Sequence, residues 1–193
     1  MLSPRQIEIL EAAIQLTSEA GIQKLTIRNV ARAVGVTEPA FYRHFANKHE
    51  LLVAILEYLE HKIAHNFIGF IEPTGSPSEQ FRLFLENLFT DIEKNKAFAL
   101  LIFAEETFNA DPALRPNLNS LLDKKLFTLT QYFSHIMGEG GCRSDISPDQ
   151  LALMTFGAIR LIVSRWHLKG KHDGLLSYAP LLHKSFTKLF TLT

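Results

Sequence analysis

Apolar residues recur along most of the chain at the three- and four-residue spacing of an amphipathic α-helix. Segments in which apolar and polar residues alternate, as in a half-buried strand, are nearly absent from the sequence. The pattern therefore predicts an all-α protein. About nine helices are expected, at residues 4–20, 27–34, 38–45, 48–70, 77–94, 96–109, 117–138, 148–168 and 176–191.

Four of the predicted helices begin with a polar N-cap residue that is followed three residues later by Glu or Gln. These N-caps are Ser3, Asn47, Ser76 and Ser147, and the three serines each precede a proline. Proline is well tolerated at the first helical position, because the N–H group that it lacks has no partner within the helix. The capping pattern therefore predicts where these helices start.

Two short predicted helices lie close together between residues 26 and 48. Val30 lies on the buried face of the first helix, and Gly35 can adopt the left-handed conformation that ends a helix. Phe41 and Phe45 lie one turn apart and are expected to anchor the second helix in the core. Two short helices joined by a tight glycine turn predict a helix-turn-helix.

The charge distribution supports a focused contact with DNA. The chain has 193 residues, of which 47% are hydrophobic and 21% charged, and its formal net charge is zero. This composition is typical of a globular protein. Between residues 24 and 48, however, the sequence contains five basic residues and a single acid, Glu38, which gives this segment a local charge of +4. A short basic patch on a neutral protein suits a defined DNA site, although a solvated basic face has the same composition.

The residues around this patch resemble the N-terminal signature of TetR family transcriptional regulators. The resemblance covers roughly residues 5–55 and rests on Gly21-Ile22, Leu25-Thr26-Ile27, Val30-Ala31, Val34-Gly35-Val36-Thr37, Ala40-Phe41-Tyr42, Phe45, Lys48 and Leu51-Leu52. It implies a three-helix helix-turn-helix DNA-binding domain at residues 1–47 and a helical ligand-binding and dimerisation domain at residues 48–193. It also implies a ligand-responsive regulator, and it favours repression over activation.

The first residues of the recognition helix are expected to face base edges in the major groove, whereas Thr26 and Arg28 lie where the preceding helix would cross the DNA backbone. Glu38 has two interpretations: it accepts a hydrogen bond from a cytosine amino group, or it stabilises the first helical turn. Tyr42 and His44 resemble family positions that bind phosphates, and Lys48 would add positive charge near them. The predicted DNA-binding residues are Thr26, Arg28, Thr37, Glu38, Pro39, Ala40, Tyr42, Arg43, His44 and Lys48.

The region after residue 60 contains 13 of the 15 phenylalanines. Many of these phenylalanines belong to apolar stripes along the predicted helices, and such stripes are typical of a core. The resemblance, however, implies that this region contains a ligand cavity for a small apolar or aromatic effector. Glu105 and Lys125 interrupt the stripes, and each either reaches solvent or a partner group or orients a polar group of the effector. The predicted pocket residues are Phe84, Leu88, Phe98, Ile102, Glu105, Leu122, Lys125 and Phe133.

The predicted helix at 148–168 is apolar almost all round, so one of its faces needs a partner outside its own domain. Together with the helix at 176–191 it predicts a four-helix bundle across the two-fold axis of a homodimer, as the resemblance also implies. The two DNA-binding domains of such a dimer would fit a pseudo-palindromic operator in double-stranded DNA. Its half-sites would lie one or more helical turns apart, at about 34–36 Å per turn. The predicted interface residues are Ile159, Ile162, Val163, Trp166, Leu182, Phe186 and Leu189.

Other functional classes have little support in the sequence. No nucleophile motif or glycine-rich phosphate loop indicates an enzyme, and no cofactor is expected. Glu57, His61 and His65 are spaced four apart but lie opposite the apolar stripe, which predicts solvent exposure rather than a metal site.

The chain is expected to work in the cytoplasm, without a membrane partner. It contains no uninterrupted apolar run of the ~18–20 residues that span a membrane, and its single cysteine cannot form an internal disulfide. The alternative left open is a DNA-bound helical scaffold that is regulated by a protein partner rather than by a small ligand. An open or a filled cavity in the C-terminal region would distinguish the two hypotheses.

Overall fold

The computed structural model describes residues 2–63, 75–94, 112–169 and 174–191. Within these residues the protein contains eight α-helices and three short 3₁₀ helices and no β-strand, which confirms the predicted all-α class. The predicted helix at 96–109 lies outside the described residues. The helices are α1 (Pro4–Ala20), α2 (Ile27–Ala33), α3 (Glu38–Phe41), α4 (Lys48–Ile63), α5 (Pro77–Lys94), α6 (Arg115–Gly138), α7 (Pro148–Leu168) and α8 (Tyr178–Phe190).

The predicted caps form at the helix starts. At α1, the Gln6 N–H donates to Ser3 Oγ at 3.2 Å and the Ser3 N–H donates to Gln6 Oε1 at 3.0 Å. α7 has the same reciprocal arrangement. At α4, the Glu50 N–H donates to Asn47 Oδ1 at 2.8 Å, but the Glu50 carboxylate accepts from the Ala46 N–H at 2.6 Å. The cap of α4 is therefore satisfied by a different backbone donor from the one in the usual capping box.

Helix α3 is shorter than the predicted range of 38–45, because its regular part ends at Phe41. The His44 N–H donates to the Phe41 carbonyl at 2.8 Å, across three residues rather than four. This is the tighter 3₁₀ type of bond that is common at helix ends. The chain nevertheless continues in a helical sense, and Phe45 is 2% exposed, as predicted for an anchor.

The chain folds as two compact units. The first contains residues 2–62 and 112–118, and the second contains residues 63, 75–94, 119–169 and 174–191 among those described. These units are defined by contacts within the structure, so they do not test the predicted division into a DNA-binding domain at residues 1–47 and a ligand-binding domain at residues 48–193, which stays a prediction.

The core of the first unit is made of aliphatic side chains from α1, α2, α4 and Leu25 just before α2, and it is closed by the two phenylalanines of the α3 region. All of these side chains are at most 5% exposed. The core is dense enough to hold the surface of α2 and α3 in one arrangement. Its main members are Ile9, Leu10, Ala13, Ile14, Leu25, Val30, Ala31, Phe41, Phe45, Leu51, Leu52, Ile55, Leu56 and Leu59.

The core of the second unit is centred on five aromatic rings from α5, α6 and α8. Contacting ring centroids lie 4.7–6.4 Å apart, and the rings belong to Phe81, Tyr132, Phe133, Phe186 and Phe190. The Tyr132 hydroxyl donates to the backbone carbonyl at the start of α5 at 2.7 Å, so the one polar atom among these rings has a partner. Burial also raises the pKa of Tyr132.

Candidate nucleic-acid interface

The turn between α2 and α3 has the geometry that the sequence predicted. Gly35 has a φ of +69°, its N–H donates to Arg32 O at 3.2 Å, and the Val36 N–H donates to Ala31 O at 2.9 Å. This pair of bonds is the Schellman arrangement, in which a left-handed residue ends a helix and reverses the chain. The two helices are thereby joined as a helix-turn-helix.

Threonine side chains cap both helices of this motif. Thr26 Oγ1 accepts a hydrogen bond from the Asn29 N–H at 3.2 Å, and Thr37 Oγ1 accepts one from the Ala40 N–H at 3.4 Å. Each hydroxyl keeps its own hydrogen for a further acceptor, because a capping oxygen uses only a lone pair. Both threonines are exposed, so capping and contact with DNA are compatible.

The first unit carries all ten residues that were predicted to contact DNA. Tyr42 is 48% exposed, and its ring packs edge-on against the ring of Phe41, with the centroids 6.0 Å apart. The fully buried Phe41 ring therefore supports the accessible Tyr42 ring. The surface is polar and basic above an apolar core, and its role in DNA binding stays a prediction at this point. Seven of the residues are exposed (Thr26, Arg28, Thr37, Pro39, Tyr42, Arg43 and Lys48), and three are half-buried (Glu38, Ala40 and His44).

The two charged residues Arg28 and Glu38 form an ion pair between α2 and α3. Arg28 Nε lies 3.2 Å from Glu38 Oε1, and the two side chains are 74% and 44% exposed. Exposed pairs contribute only about 0–1 kcal/mol to stability. The main effect of the pair is therefore on charge, because Arg28 neutralises Glu38, the single acid of the basic segment.

Two side chains of α1 donate hydrogen bonds to backbone carbonyls of the helix-turn-helix, and the sequence analysis predicted neither of them. Arg5 Nη2 donates to the Val34 carbonyl at 3.1 Å, and Gln6 Nε2 donates to the His44 carbonyl at 3.1 Å. These carbonyls lie at the ends of α2 and of the α3 turn, where backbone acceptors lack helical partners. The only sequence signal was the capping pattern at Gln6, which gives no hint of a partner 38 residues away.

A second set of contacts, also missed, joins α1 to α4. The Tyr58 hydroxyl donates to Glu11 Oε1 at 2.6 Å, and Lys62 Nζ donates to the same oxygen at 3.1 Å. Lys62 also lies 4.7 Å from the centroid of the Tyr58 ring. The hydrogen bond from Tyr58 is the main cause that lowers the pKa of Glu11, while burial is the main cause that raises the pKa of Tyr58. This cluster fixes α4 within the first unit.

The predicted pocket residues that the structure describes lie in the second unit. Phe84, Leu88, Lys125 and Phe133 are buried, and Leu122 is half-buried. Lys125 is 8% exposed, and its ammonium lies 5.9 Å from the centroid of the Phe156 ring. The other three predicted pocket residues, Phe98, Ile102 and Glu105, lie outside the described residues, so the pocket stays a prediction. Among the residues described, no three His, Cys, Asp or Glu side chains are placed to hold a metal ion.

The predicted dimer helices α7 and α8 each bury one face in their own unit and expose another. Five of the predicted interface residues, namely Ile159, Val163, Trp166, Leu182 and Phe186, are at most 8% exposed, whereas Ile162 is half-buried and Leu189 is 57% exposed. The five buried side chains have little surface left to contact a second copy. The exposed apolar side chains are Leu153, Met154, Leu161 and Leu168 on α7, and Leu181 and Leu189 on α8. The interface itself stays a prediction.

Known proteins resemble this chain over both units. The family described as bacterial regulatory proteins, tetR family, matches residues 9–55, and the family described as YsiA-like protein, C-terminal region, matches residues 57–188. The nucleoid occlusion factor SlmA of Vibrio vulnificus is 28% identical over 123 residues, which are 63% of this chain and 63% of SlmA. The match thus spans less than two thirds of that protein.

Two solved structures share the fold across almost the whole chain. The fatty acid degradation regulator FadR of Bacillus halodurans superposes with a TM-score of 0.85 at 18% identity and covers 95% of both chains. FadR of Bacillus subtilis, in complex with stearoyl-CoA, superposes with a TM-score of 0.80 at 18% identity and covers 92% of this chain and 95% of its own. The helix-turn-helix, the all-helical C-terminal region and the two family matches together show that the chain belongs to the TetR family of bacterial transcriptional regulators.

Proposed function

We propose that the protein is a cytoplasmic repressor that binds a pseudo-palindromic operator as a homodimer and is released by a small apolar effector. The observation that carries the proposal is the exposed basic surface of α2, α3 and the start of α4, which rests on a tightly packed core. A rigid surface of this kind suits DNA recognition, because side chains held in place lose little conformational freedom on binding.

The residues of this surface divide into two groups by their chemistry. Arg43 and Lys48 are exposed cations that can neutralise phosphates and release counterions, and the Tyr42 hydroxyl can donate to a phosphate oxygen. Pro39 and Ala40 have short side chains, so the backbone of α3 can approach base edges and touch a thymine methyl group. The first group would supply affinity and the second would allow sequence to be read.

The exposed apolar faces of α7 and of α8 support the homodimer. Gly157 lies on the exposed face of α7, and a Cβ built there meets no atom within 4 Å, so a second helix could approach closely. Helix α7 is also long and apolar enough by composition to span a membrane. We assign its exposed face to a second copy of the chain, because α8 adds the exposed Leu181 and Leu189, and paired helices from each copy make a four-helix bundle.

The second unit supports an effector with a long apolar part and a polar head. Its core is rich in phenylalanine, and the FadR structure of similar fold binds stearoyl-CoA. Lys125 is a buried cation on the apolar stripe of α6, where it can orient an anionic or carbonyl group of the effector. On α7, the fully buried Thr155 hydroxyl has no hydrogen-bond partner among the described residues and could bind such a group as well.

Release requires that the effector prefers a conformation that binds DNA poorly. The effector can shift the population only by the ratio of its affinities for the two conformations. By linkage, operator DNA must then weaken binding of the effector by the same factor. The proposal therefore predicts antagonism that can be measured from either side.

The experiment starts with duplexes selected from a random pool by the purified full-length protein. Their affinity is measured by fluorescence anisotropy with increasing stearoyl-CoA, stearate or free coenzyme A. We expect tight binding to a pseudo-palindrome and release by at least one acyl compound but not by coenzyme A alone. Lys125→Met should bind the duplex like wild type and need more acyl compound for release. Failure to select any duplex would contradict the proposal.

The protein-partner alternative makes a different prediction in the same experiment. Specific DNA binding that no acyl or aromatic compound changes would favour it, and the similarity to a nucleoid occlusion factor is the observation behind it.

A further inference from the structure

Glu38 is the single acid among the predicted DNA-binding residues, and it is bound to Arg28. The bond joins Arg28 Nε to Glu38 Oε1, which leaves both Nη atoms and Oε2 without a partner among the described residues. The side chains of Arg28 and Glu38 are 74% and 44% exposed. The pair therefore presents two nitrogen donors beside one carboxylate acceptor at the start of α3.

This arrangement matches one base pair better than any other. In the major groove, a G·C pair offers two acceptors on guanine, N7 and O6, next to the N4 amino donor of cytosine. An A·T pair offers an acceptor, a donor, another acceptor and a methyl group, so the order of groups differs. Two arginine donors next to a carboxylate acceptor complement the G·C order.

The ion pair also removes two obstacles to base reading. An isolated carboxylate is repelled by the phosphates of DNA, but here the guanidinium neutralises it. An isolated arginine is flexible and binds phosphates readily, but here its Nε is fixed to the first turn of α3, which restricts where its two Nη atoms point. The bond thus places the Arg28 guanidinium beside the first turn of α3.

We propose that the Arg28–Glu38 pair reads one G·C base pair in each operator half-site as a single unit. The inference rests on the proposed function, because it assumes that α3 faces the major groove. It assigns Arg28 to a base edge, in place of the backbone contact that the sequence suggested, and it gives Glu38 the cytosine amino group.

The test is a comparison of base preferences. Duplexes are selected with wild type, Arg28→Lys, Glu38→Gln and the control Arg32→Ala, and affinities are measured for each base at each half-site position. Wild type should prefer G·C at one position by about 5- to 150-fold. Arg28→Lys keeps the charge but loses the fork, so this preference should fall to a few-fold. Glu38→Gln should admit A·T there, because a carboxamide pairs with adenine.

The control separates base reading from general attraction. Arg32 is exposed one turn further along α2, so Arg32→Ala should weaken every duplex by a similar factor and leave the base preference intact. Circular dichroism melts of each variant establish that the first unit is folded.

Two failures can be told apart. An unchanged preference at every position in Arg28→Lys and Glu38→Gln would overturn the inference and leave the pair as a link between α2 and α3. If wild type itself bound selected and random duplexes equally, the proposed function would fail instead.

Discussion

Replacing Leu161 on α7 with aspartate should dissociate the homodimer. Leu161 is 61% exposed in the single chain and lies on the same side of α7 as the open Gly157. In the proposed bundle it contacts the second copy, and the two-fold axis places the same substitution on both sides. The variant therefore loses two apolar contacts and brings two carboxylates to an interface that excludes water.

The size of the effect follows from the exposed fraction of the side chain. Complete burial of a leucine stabilises by about 1.5–3 kcal/mol, so covering the exposed 61% of Leu161 contributes roughly 1–2 kcal/mol per copy. Because the contact occurs twice, the dimer should lose about 2–4 kcal/mol. The dissociation constant should then rise roughly 30- to 700-fold, before any cost of the buried charge.

Sedimentation equilibrium over a dilution series measures this constant directly. Leu83→Asp serves as the control, since Leu83 is a 40% exposed leucine on α5, outside the proposed bundle. The control should dimerise like wild type. If Leu161→Asp and wild type showed the same dissociation constant, the exposed face of α7 would not be the interface, and the assignment would have to be abandoned.

Three further predictions concern the first unit. Gly35→Ala should lower the free energy of unfolding by about 1–2 kcal/mol in a denaturant titration, because φ there is +69° and the cost of a left-handed backbone falls on any residue with a Cβ; no loss would mean that the turn relaxes. Phe45→Ala removes a ring that is 2% exposed and should cost about 3–5 kcal/mol in the same titration, whereas a loss below 1 kcal/mol would show that the α3 anchor is absent. Tyr58→Phe should raise the pKa of Glu11 towards its ordinary value of 4.5, as followed by NMR titration. Because a lowered carboxyl pKa stabilises the fold above pH 4.5 and the benefit is lost as the pH falls, the variant should lose less stability on acidification. A Glu11 titration identical to that of wild type would refute the hydrogen bond.

Local signals explain why much of the first unit could be predicted. An N-cap and its partner lie three residues apart, so the starts of α1, α4, α5 and α7 can be read directly from the sequence. The turn at Gly35 depends on the conformational freedom of one residue. Bonds such as Gln6 to the His44 carbonyl, or Arg28 to Glu38, depend instead on how separate helices come together, and no periodicity encodes them.

The choice of the outward face of α7 shows a different limit. A periodic pattern identifies the buried face of a helix only when the opposite face is polar. On α7 both sides are apolar, so Ile159 and Leu161 are equivalent in the sequence although one is 2% and the other 61% exposed. The packing of the second unit decides between them. The same argument applies to α8, where Phe186 points into the aromatic core and Leu189 points outward.

The central claim is that the basic surface of the first unit binds the phosphates of operator DNA, and the salt dependence of binding tests it most directly. The affinity of wild type, Lys48→Ala and the control Lys94→Ala for one selected duplex is measured over a range of salt concentrations. Each lost phosphate contact lowers the slope of log affinity against log salt by about 0.9, so a dimer of Lys48→Ala should lose close to 2 units of slope and bind more weakly. Lys94, an exposed lysine at the end of α5, should have no effect. Equal slopes and affinities for Lys48→Ala and wild type would contradict the account.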